Sequence, residues 1–265
     1  MIDPALDTFE LHQGMLRARV TSGQLTGLRL GETEFMHTAD QPGWSNSDTE
    51  MFPVIGPTLQ QNYRIEVPRG TAVLDQHGFL RDMPYAMESC TESELMLVKR
   101  YSANTPVRNG KFPQRSTEES LTWPYSFTFR KQFSLYPNHL EITFSISGDS
   151  GMPFMLGYHP AFRIHSAKAR VLGCNTTVNF EDIIAVGDRA LPVPRCERIT
   201  LEDYHSLHIE TSGFSHFMLW TPHPEMLCIE PITYYPYVEG GTLQDGFSKL
   251  SDVTTAFKVR LFPEV

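Results

Sequence analysis

The chain has 265 residues, of which 40% are hydrophobic and 20% are charged. This length and composition allow a sizeable buried core and argue against wholesale disorder. The formal net charge of −9 argues against a general surface for nucleic acid or anionic membranes, although it leaves room for a local basic patch.

The cysteines and the N-terminus bear on the compartment. The four cysteines are far apart and form no C-x-x-C pair, which predicts small buried hydrophobic residues in a reducing compartment. They are Cys90, Cys174, Cys196 and Cys228. Residues 1–4 do not begin the basic and apolar pattern of a signal peptide, and no apolar run approaches the roughly 20 residues that span a bilayer. We therefore expect a cytoplasmic protein that does not enter a membrane.

Short runs of alternating apolar and polar residues, separated by glycine and proline turns, predict antiparallel β-strands. The first such runs lie at residues 9–20 and 25–30. The clearest hairpin joins residues 127–135 to residues 140–147 through Tyr136-Pro137-Asn138. In this hairpin, positions 127, 129, 133 and 135 are expected to pair against positions 140, 142, 144 and 146. Further strands are predicted at residues 95–101, 206–210, 214–220, 227–230 and 254–262.

Helices are expected to be few. No stretch carries an apolar stripe of helical period over three turns, and short helical pieces are predicted only near residues 117–120 and 201–204. With 19 prolines and 18 glycines spread along the chain, many short strands and loops fit better than alternating strands and helices. No repeat or linker interrupts this pattern, so we expect a single all-β domain over residues 1–265.

Three segments carry polar side chains where a strand meets a turn bordered by glycine or proline. They are Gln76-His77-Gly78-Phe79, Gly157-Tyr158-His159-Pro160-Ala161-Phe162 and Cys228-Ile229-Glu230-Pro231. We interpret them as one constellation of two imidazoles and a carboxylate that converge on a small polar ligand.

The second and third segments predict an acid and a base. His159 precedes a proline, which favours extended backbone, and it follows an apolar run, so a partly dry site could tune its pKa for general-acid catalysis. The alternative is a core histidine bonded to a neighbour. Glu230 ends a buried run, where a carboxylate is costly unless it is hydrogen-bonded or functional. The alternative is a strand-terminal glutamate turned to solvent.

The first segment leaves two alternatives open for each of its polar residues. His77 could present its ring to a cleft or could bond a backbone carbonyl in a loop. Arg81 would share a face with Phe79 on extended backbone, where it could hold a sugar hydroxyl or a phosphate. It could equally form a salt bridge with Asp82 or Glu88.

Other chemistries have little support in the sequence. His205 and His208 are three apart, and His216 and His223 are seven apart, but no H-x-x-x-H or H-E-x-x-H spacing of a metal site occurs. There is also no G-x-S-x-G hydrolase motif, glycine-rich phosphate loop or dinucleotide fingerprint. We therefore expect neither a metal nor a cofactor.

In their order and spacing, the three segments resemble the aldose 1-epimerase (galactose mutarotase-like) family. The resemblance extends to Phe52-Pro53-Val54-Ile55-Gly56, to Trp123-Pro124-Tyr125-Ser126-Phe127 and to Arg81. It therefore covers the chain from about Leu11 to the C-terminus.

The resemblance implies a large antiparallel β-sandwich with an open cleft, in which the α and β anomers of a free aldose are interconverted. By motif match, His77 holds sugar oxygens near the ring oxygen, His159 is the general acid at that oxygen, and Glu230 is the general base at the anomeric hydroxyl. No metal, nucleotide or covalent intermediate is implied. The expected substrate-binding residues are Gln76, Arg81, Tyr158 and Asp203.

The sequence departs from the family pattern at two places. Pro57 stands where many members carry an arginine, so Arg64 or Arg81 would have to compensate. The sugar-binding aspartate that the family places between the second histidine and the glutamate has no clean match. Asp203 is nearest by position, and Asp188 is another option.

Three alternative functions remain beside a free-aldose epimerase. One is a carbohydrate-binding or sensing module that has lost catalysis. Another is a hexose-6-phosphate mutarotase, for which Arg64, Arg69, Arg81 and Arg163 are candidate cleft residues. A polysaccharide lyase or hydrolase ranks last. The expected partner is a monosaccharide, with no nucleic acid and no membrane, and the expected assembly is a monomer or homodimer.

Overall fold

The structure is a computed structural model that describes residues 8–187 and 189–265. Residues 1–4, on which the signal-peptide argument rests, and Asp188, an option for the sugar-binding aspartate, lie outside the described residues.

The described residues form mostly short strands. The strands are β1 (Thr8–Gln13), β2 (Leu16–Thr21), β3 (Gln24–Leu30), β4 (Thr33–Glu34), β5 (Asp48–Met51), β6 (Arg64–Val67), β7 (Gly70–Val73), β8 (Ala86–Cys90), β9 (Glu94–Tyr101), β10 (Val107–Arg108), β11 (Ser120–Leu121), β12 (Phe127–Leu135), β13 (Leu140–Gly148), β14 (Pro153–Phe154), β15 (Gly157–Arg163), β16 (Arg170–Gly173), β17 (Thr176–Asn179), β18 (Leu191–Pro194), β19 (Arg198–Glu202), β20 (Ser206–Ser212), β21 (His216–Trp220), β22 (Met226–Ile232), β23 (Ser248–Lys249) and β24 (Thr255–Glu264). The helices are α1 (Phe180–Val186) and three short 3-10 turns at Leu59–Gln61, Leu80–Asp82 and Leu243–Gly246.

Three antiparallel sheets carry the architecture. The largest has nine strands in the order β17-β16-β19-β20-β24-β13-β12-β9-β8. A five-stranded sheet has the order β18-β21-β22-β15-β5, and a four-stranded sheet has the order β1-β2-β3-β4. The prediction of an all-β antiparallel sandwich is therefore confirmed. One hydrophobic cluster runs through the described residues from Leu11 to Leu261.

The predicted central hairpin forms the middle of the nine-stranded sheet. β12 pairs with β13, and Phe129 lies opposite Ile146 and Phe133 opposite Ile142 as expected. Phe127 lies opposite Gly148, one residue beyond the predicted strand. The inward side chains of this hairpin meet the five-stranded sheet, since the ring centroid of Phe144 lies 5.1 Å from that of Tyr158. The period-two pattern thus supplies one wall of the core.

The predicted helical pieces are wrong. Residues 198–202 form β19, which pairs with β20, and the residues near 117–120 lead into the short strand β11. The helix α1 was not predicted because its seven residues are shorter than the three turns that a helical stripe needs to be recognised. None of the helices in the described residues has both the length and the apolar character needed to cross a membrane.

The cysteine prediction is also wrong for three of the four positions. Cys174 and Cys196 form a disulfide with a Cα–Cα distance of 5.4 Å. The two residues meet because Gly173 on β16 pairs with Ile199 on β19. Cys90 is free but exposed, so only Cys228 is a buried free thiol as expected.

Candidate active site

An open cavity of about 310 Å³ lies on the outer face of the five-stranded sheet. Its floor comes from alternate positions of β15, β21 and β22, whose other side chains point into the core. The lining residues are Trp44, Gln76, His77, Arg81, Lys111, Arg115, His159, Ala190, Met218, Trp220, Glu230 and Tyr237.

His159 and Glu230 face each other across neighbouring strands. The register pairs Gly157 with Ile232 and Ala161 with Cys228, which puts His159 opposite Glu230 on the same face of the sheet. Nε2 of the imidazole lies 3.4 Å from Oε1 of the carboxyl group. Both side chains are nearly dry, and Oε2 of the glutamate and Nδ1 of the histidine have no hydrogen-bond partner. Each of these two residues, which line the cavity, therefore keeps one buried polar atom unsatisfied.

Burial drives the protonation of this pair in opposite directions. Loss of water raises the pKa of the Glu230 carboxyl well above its usual range, because the charged form is the one that is destabilised. The same loss of water, with the positive charge of Arg81 as the second cause, lowers the pKa of His159 to about 3. Burial therefore favours the uncharged form of both groups, with the proton on the carboxyl group and not on the imidazole.

Two tryptophans enclose the imidazole. Trp44 stacks on His159 with ring centroids 4.3 Å apart and an interplanar angle of 29°. Trp220 meets the same ring edge-on at 5.9 Å. These contacts hold the orientation of the imidazole and present apolar surface to the cavity.

His77 is held by a loop of unusual backbone. His77 and Gly78 have φ values of 68° and 73°, which bring this loop against Phe52. Nδ1 of His77 accepts a hydrogen bond from the backbone N–H of Gly56 at 3.2 Å, so the neutral ring carries its hydrogen on Nε2. Burial, with Arg81 as the second cause, lowers the pKa of this ring well below its usual value. Nε2 of His77 lies 3.1 Å from Nε2 of the Gln76 side-chain amide. Because an amide nitrogen only donates, a hydrogen bond from the ring N–H requires the amide oxygen of Gln76 at that position.

The opposite wall is cationic. Arg81, Lys111 and Arg115 all line the cavity. Lys111 is paired with Asp75 at 2.8 Å, whereas neither arginine forms an ion pair within the described ranges. Burial, and next the charge of Arg81, lower the pKa of Lys111. The wall therefore carries more positive than negative charge, although the chain as a whole is acidic.

A family model described as aldose 1-epimerase matches residues 52–218. The chain belongs to the aldose 1-epimerase family. The matched range includes His77, Arg81 and His159 and ends before Glu230. A search among curated proteins found no match.

Solved structures share the fold of this family member at low sequence identity. A galactose mutarotase related enzyme from Lactobacillus acidophilus is 17% identical over 98% of both chains, with a TM-score of 0.75. A galactose mutarotase-like protein from Lactobacillus casei is 16% identical over 97% of this chain and 100% of that chain, with a TM-score of 0.76. A galactose mutarotase-like protein from Clostridium acetobutylicum is 15% identical over 99% of both chains, with a TM-score of 0.66.

Five of the seven residues expected at an aldose 1-epimerase site meet at the cavity. They are Gln76, His77, Arg81, His159 and Glu230. Arg81 reaches it from a 3-10 turn and not from extended backbone, and Phe79, expected on the same face, is fully buried in the core.

Tyr158 and Asp203 are not among the residues that line the cavity. Tyr158 is adjacent to His159 on a strand, so it points to the other face, where its hydroxyl donates to Asp48 Oδ2 at 2.6 Å. The carboxylate of Asp203 accepts hydrogen bonds from the His165 backbone and the Ser166 hydroxyl. It closes a turn at the end of β19.

Three of the arginines that were considered either as substitutes for the missing family arginine or as phosphate-binding residues lie away from the cavity. Arg64 pairs with Glu118, and Arg69 pairs with Asp149 and stacks on Tyr125. Neither these two nor Arg163 lines the cavity, so Arg81 alone remains of the four arginines considered.

Several cavity residues were missed by sequence reasoning. Trp220 and Met218 lie two apart on a predicted strand, so their shared face with Glu230 could have been found had the pairing of β21 with β22 been known. Lys111 and Arg115 lie in a loop without periodicity. For Trp44, the signal was a large aromatic side chain in an otherwise polar segment.

Proposed function

We propose that the protein is a mutarotase that interconverts the α and β anomers of an aldose. The observation that carries this proposal is the contact between His159 and Glu230, 3.4 Å apart and buried at the floor of an open cavity. Opening a hemiacetal requires a base at the anomeric hydroxyl and an acid at the ring oxygen. A carboxyl group and an imidazole that share one proton meet this need.

In the proposed cycle, Glu230 removes the proton of the anomeric hydroxyl while His159 protonates the ring oxygen. The open-chain aldehyde rotates about its C1–C2 bond and closes on its other face, with the two groups in exchanged roles. One proton is removed and one is delivered in each half of the cycle, and burial, which raises the pKa of Glu230, favours the protonated carboxyl group. Hydrogen bonds donated by sugar hydroxyls to the carboxylate would lower the pKa of Glu230 and so favour transfer of the proton to His159.

The remaining lining residues fit a sugar as ligand. The His77 imidazole, the Gln76 amide and the Arg81 guanidinium bring polar groups to the cavity beside the pair. The faces of Trp44 and Trp220 offer apolar surface for the C–H side of a pyranose ring. A few convergent polar groups in a partly apolar cavity are typical of small-molecule sites.

The cationic wall favours a second, narrower candidate: the aldose carries an anionic group such as a 6-phosphate. Arg81 and Arg115 have no ion-pair partner in the part of the chain that is described, and Lys111 lies beside them. Guanidinium groups bind phosphate or carboxylate by two parallel hydrogen bonds, and a phosphate would compensate their charge.

The test is anomer exchange followed by NMR on glucose, galactose, their 6-phosphates and glucuronate. The wild type should accelerate exchange of at least one of them, and Glu230→Gln and His159→Gln should each reduce this acceleration by about 10²–10⁴-fold. Cys90→Ser, which alters an exposed free cysteine, serves as the control. A folded wild type that binds a sugar but exchanges none faster than buffer would instead be a carbohydrate-binding module.

A further inference from the structure

Cys228 joins the His159–Glu230 pair from the same strand face. It lies two residues before Glu230 on β22 and opposite Ala161 on β15, so its side chain shares the face of the carboxyl group and is diagonal to His159. A nitrogen of His159, the sulfur of Cys228 and an oxygen of Glu230 lie within 4.8 Å of one another. All three residues are buried.

The separation of the nitrogen and the oxygen matches a metal site. Nitrogen and oxygen ligands at 2.0–2.1 Å from a tetrahedral zinc ion are about 3.3 Å apart, and the observed distance between Nε2 and Oε1 is 3.4 Å. Glu230 Oε2 and His159 Nδ1 are buried without a partner, so the groups are not satisfied by the protein alone. Three protein ligands with an open fourth position toward a cavity are typical of accessible zinc sites.

We propose that this cleft binds a soft divalent cation of the zinc type through His159, Cys228 and Glu230. The thiolate selects such an ion over magnesium or calcium, which require oxygen ligands. The cation would displace the thiol proton on binding, as is usual for cysteine ligands. The fourth position faces the cavity and would hold water.

The bound ion occupies the two groups that the proposed mutarotase uses for proton transfer. Cation and sugar therefore compete, and the ion acts as an inhibitor. This consequence rests on the proposed function, whereas the binding of the ion does not. Cys228 belongs to the metal site and has no part in the proposed proton transfer. Substitutions of Cys228 therefore test cation binding separately from mutarotase activity.

Binding is tested with Co²⁺ as a spectroscopic probe on untagged, chelator-stripped protein. A tetrahedral site with a thiolate ligand gives intense visible d–d bands and a sulfur-to-cobalt charge-transfer band. Cys228→Ser should abolish the charge-transfer band and weaken Zn²⁺ binding, measured by calorimetry, by at least about tenfold. The variant Cys228→Ala leaves no hydroxyl among the apolar neighbours and guards against misfolding of the serine variant. Cys90→Ser is the matched control and should bind as the wild type does.

Two results would overturn the proposal. One is the absence of a charge-transfer band in folded wild type with excess Co²⁺. The other is Zn²⁺ binding that survives unchanged in both Cys228 variants, which would assign the binding to other histidines.

In the exchange assay, Zn²⁺ should inhibit the wild type and Cys90→Ser and should leave Cys228→Ala active. If no variant catalyses exchange but the cobalt spectrum depends on Cys228, the metal site stands and the mutarotase proposal fails.

Discussion

The ammonium group of Lys131 lies 2.9 Å from the carboxylate of Asp48 in the closed space between the nine-stranded and five-stranded sheets. It also lies 2.7 Å from Glu50, and all three side chains are buried. Asp48 and Glu50 flank Thr49 on β5, and Thr49 pairs with His159 on β15. A buried ionic cluster thus supports, from behind, the strand that carries the proposed acid.

Lys131→Met should destabilise the protein strongly. Among the described residues, the change leaves the buried carboxylates of Asp48 and Glu50 with Lys99, 3.7 Å from Glu50, as their remaining ion-pair partner. Loss of one partner of a buried ion pair costs about 3–5 kcal/mol, to be measured as the free energy of unfolding in urea. The control is Lys258→Met, whose half-exposed pair with Glu141 should contribute less than about 1 kcal/mol. Equal effects of the two changes would contradict a special role for the buried cluster.

Gly78→Ala should disrupt the loop that carries His77. A Cβ atom at this position would lie 2.1 Å from the backbone oxygen of Phe52, and this backbone cannot move aside as a side chain would. Gly14→Ala is the matched control, because Gly14 has a similar φ of 61° and nothing within 4 Å of the added atom. The control substitution should lower the free energy of unfolding by roughly 1–2 kcal/mol, the cost of an alanine in the left-handed backbone region. Gly78→Ala should therefore lower the midpoint temperature of thermal unfolding more than Gly14→Ala does. A similar decrease in both variants would refute the steric explanation.

The sequence predicts individual strands better than it predicts which distant strands pair with each other. The hairpin of β12 and β13 follows from its alternating pattern, since each strand reveals its buried face by itself. The distance between His159 and Glu230 depends on the pairing of β15 with β22, whose residues are about 70 positions apart, and periodicity contains no information on that register. The expectation that His159 and Glu230 share one site came from the motif resemblance and not from the alternating pattern.

Two differences from expectation have simple physical causes. Tyr158 follows the same alternation that places His159 at the cavity, so its position in the core could have been derived from the sequence. Lys111 and Arg115 could not, because they lie in a loop whose course is fixed by hydrogen bonds such as that from Asn109 to Asp75. A short helix such as α1 has a capping box at Asn179 but too few turns to show a stripe.

His159 should make the protein sensitive to acid. Its pKa is about 3 when folded and near the ordinary histidine value of about 6.5 when unfolded, so between these values the unfolded chain binds the extra proton. Lowering the pH through this window therefore favours unfolding. His159→Gln removes this proton, and its free energy of unfolding should fall less steeply, by up to about 1.4 kcal/mol per pH unit. Urea titrations from pH 7 to pH 4 in a chelating buffer compare the two slopes, and parallel curves would contradict a buried neutral imidazole.

Arg115→Gln should weaken the recognition of an anionic sugar more than that of a neutral one. Arg115 lines the cavity from an exposed loop and has no ion-pair partner in the described part of the chain, so a phosphate or carboxylate on the substrate is the charge it is free to bind. Loss of this contact should raise KM for a sugar phosphate by about tenfold, equivalent to ~1.4 kcal/mol, and should leave kcat nearly unchanged because the residue takes no part in the proposed proton transfer. KM for the unphosphorylated sugar should stay constant. Arg163→Gln, which removes an exposed arginine that does not line the cavity, is the matched control. Equal changes in KM for both sugars would mean that the cationic wall contacts the sugar hydroxyls and that the substrate is neutral.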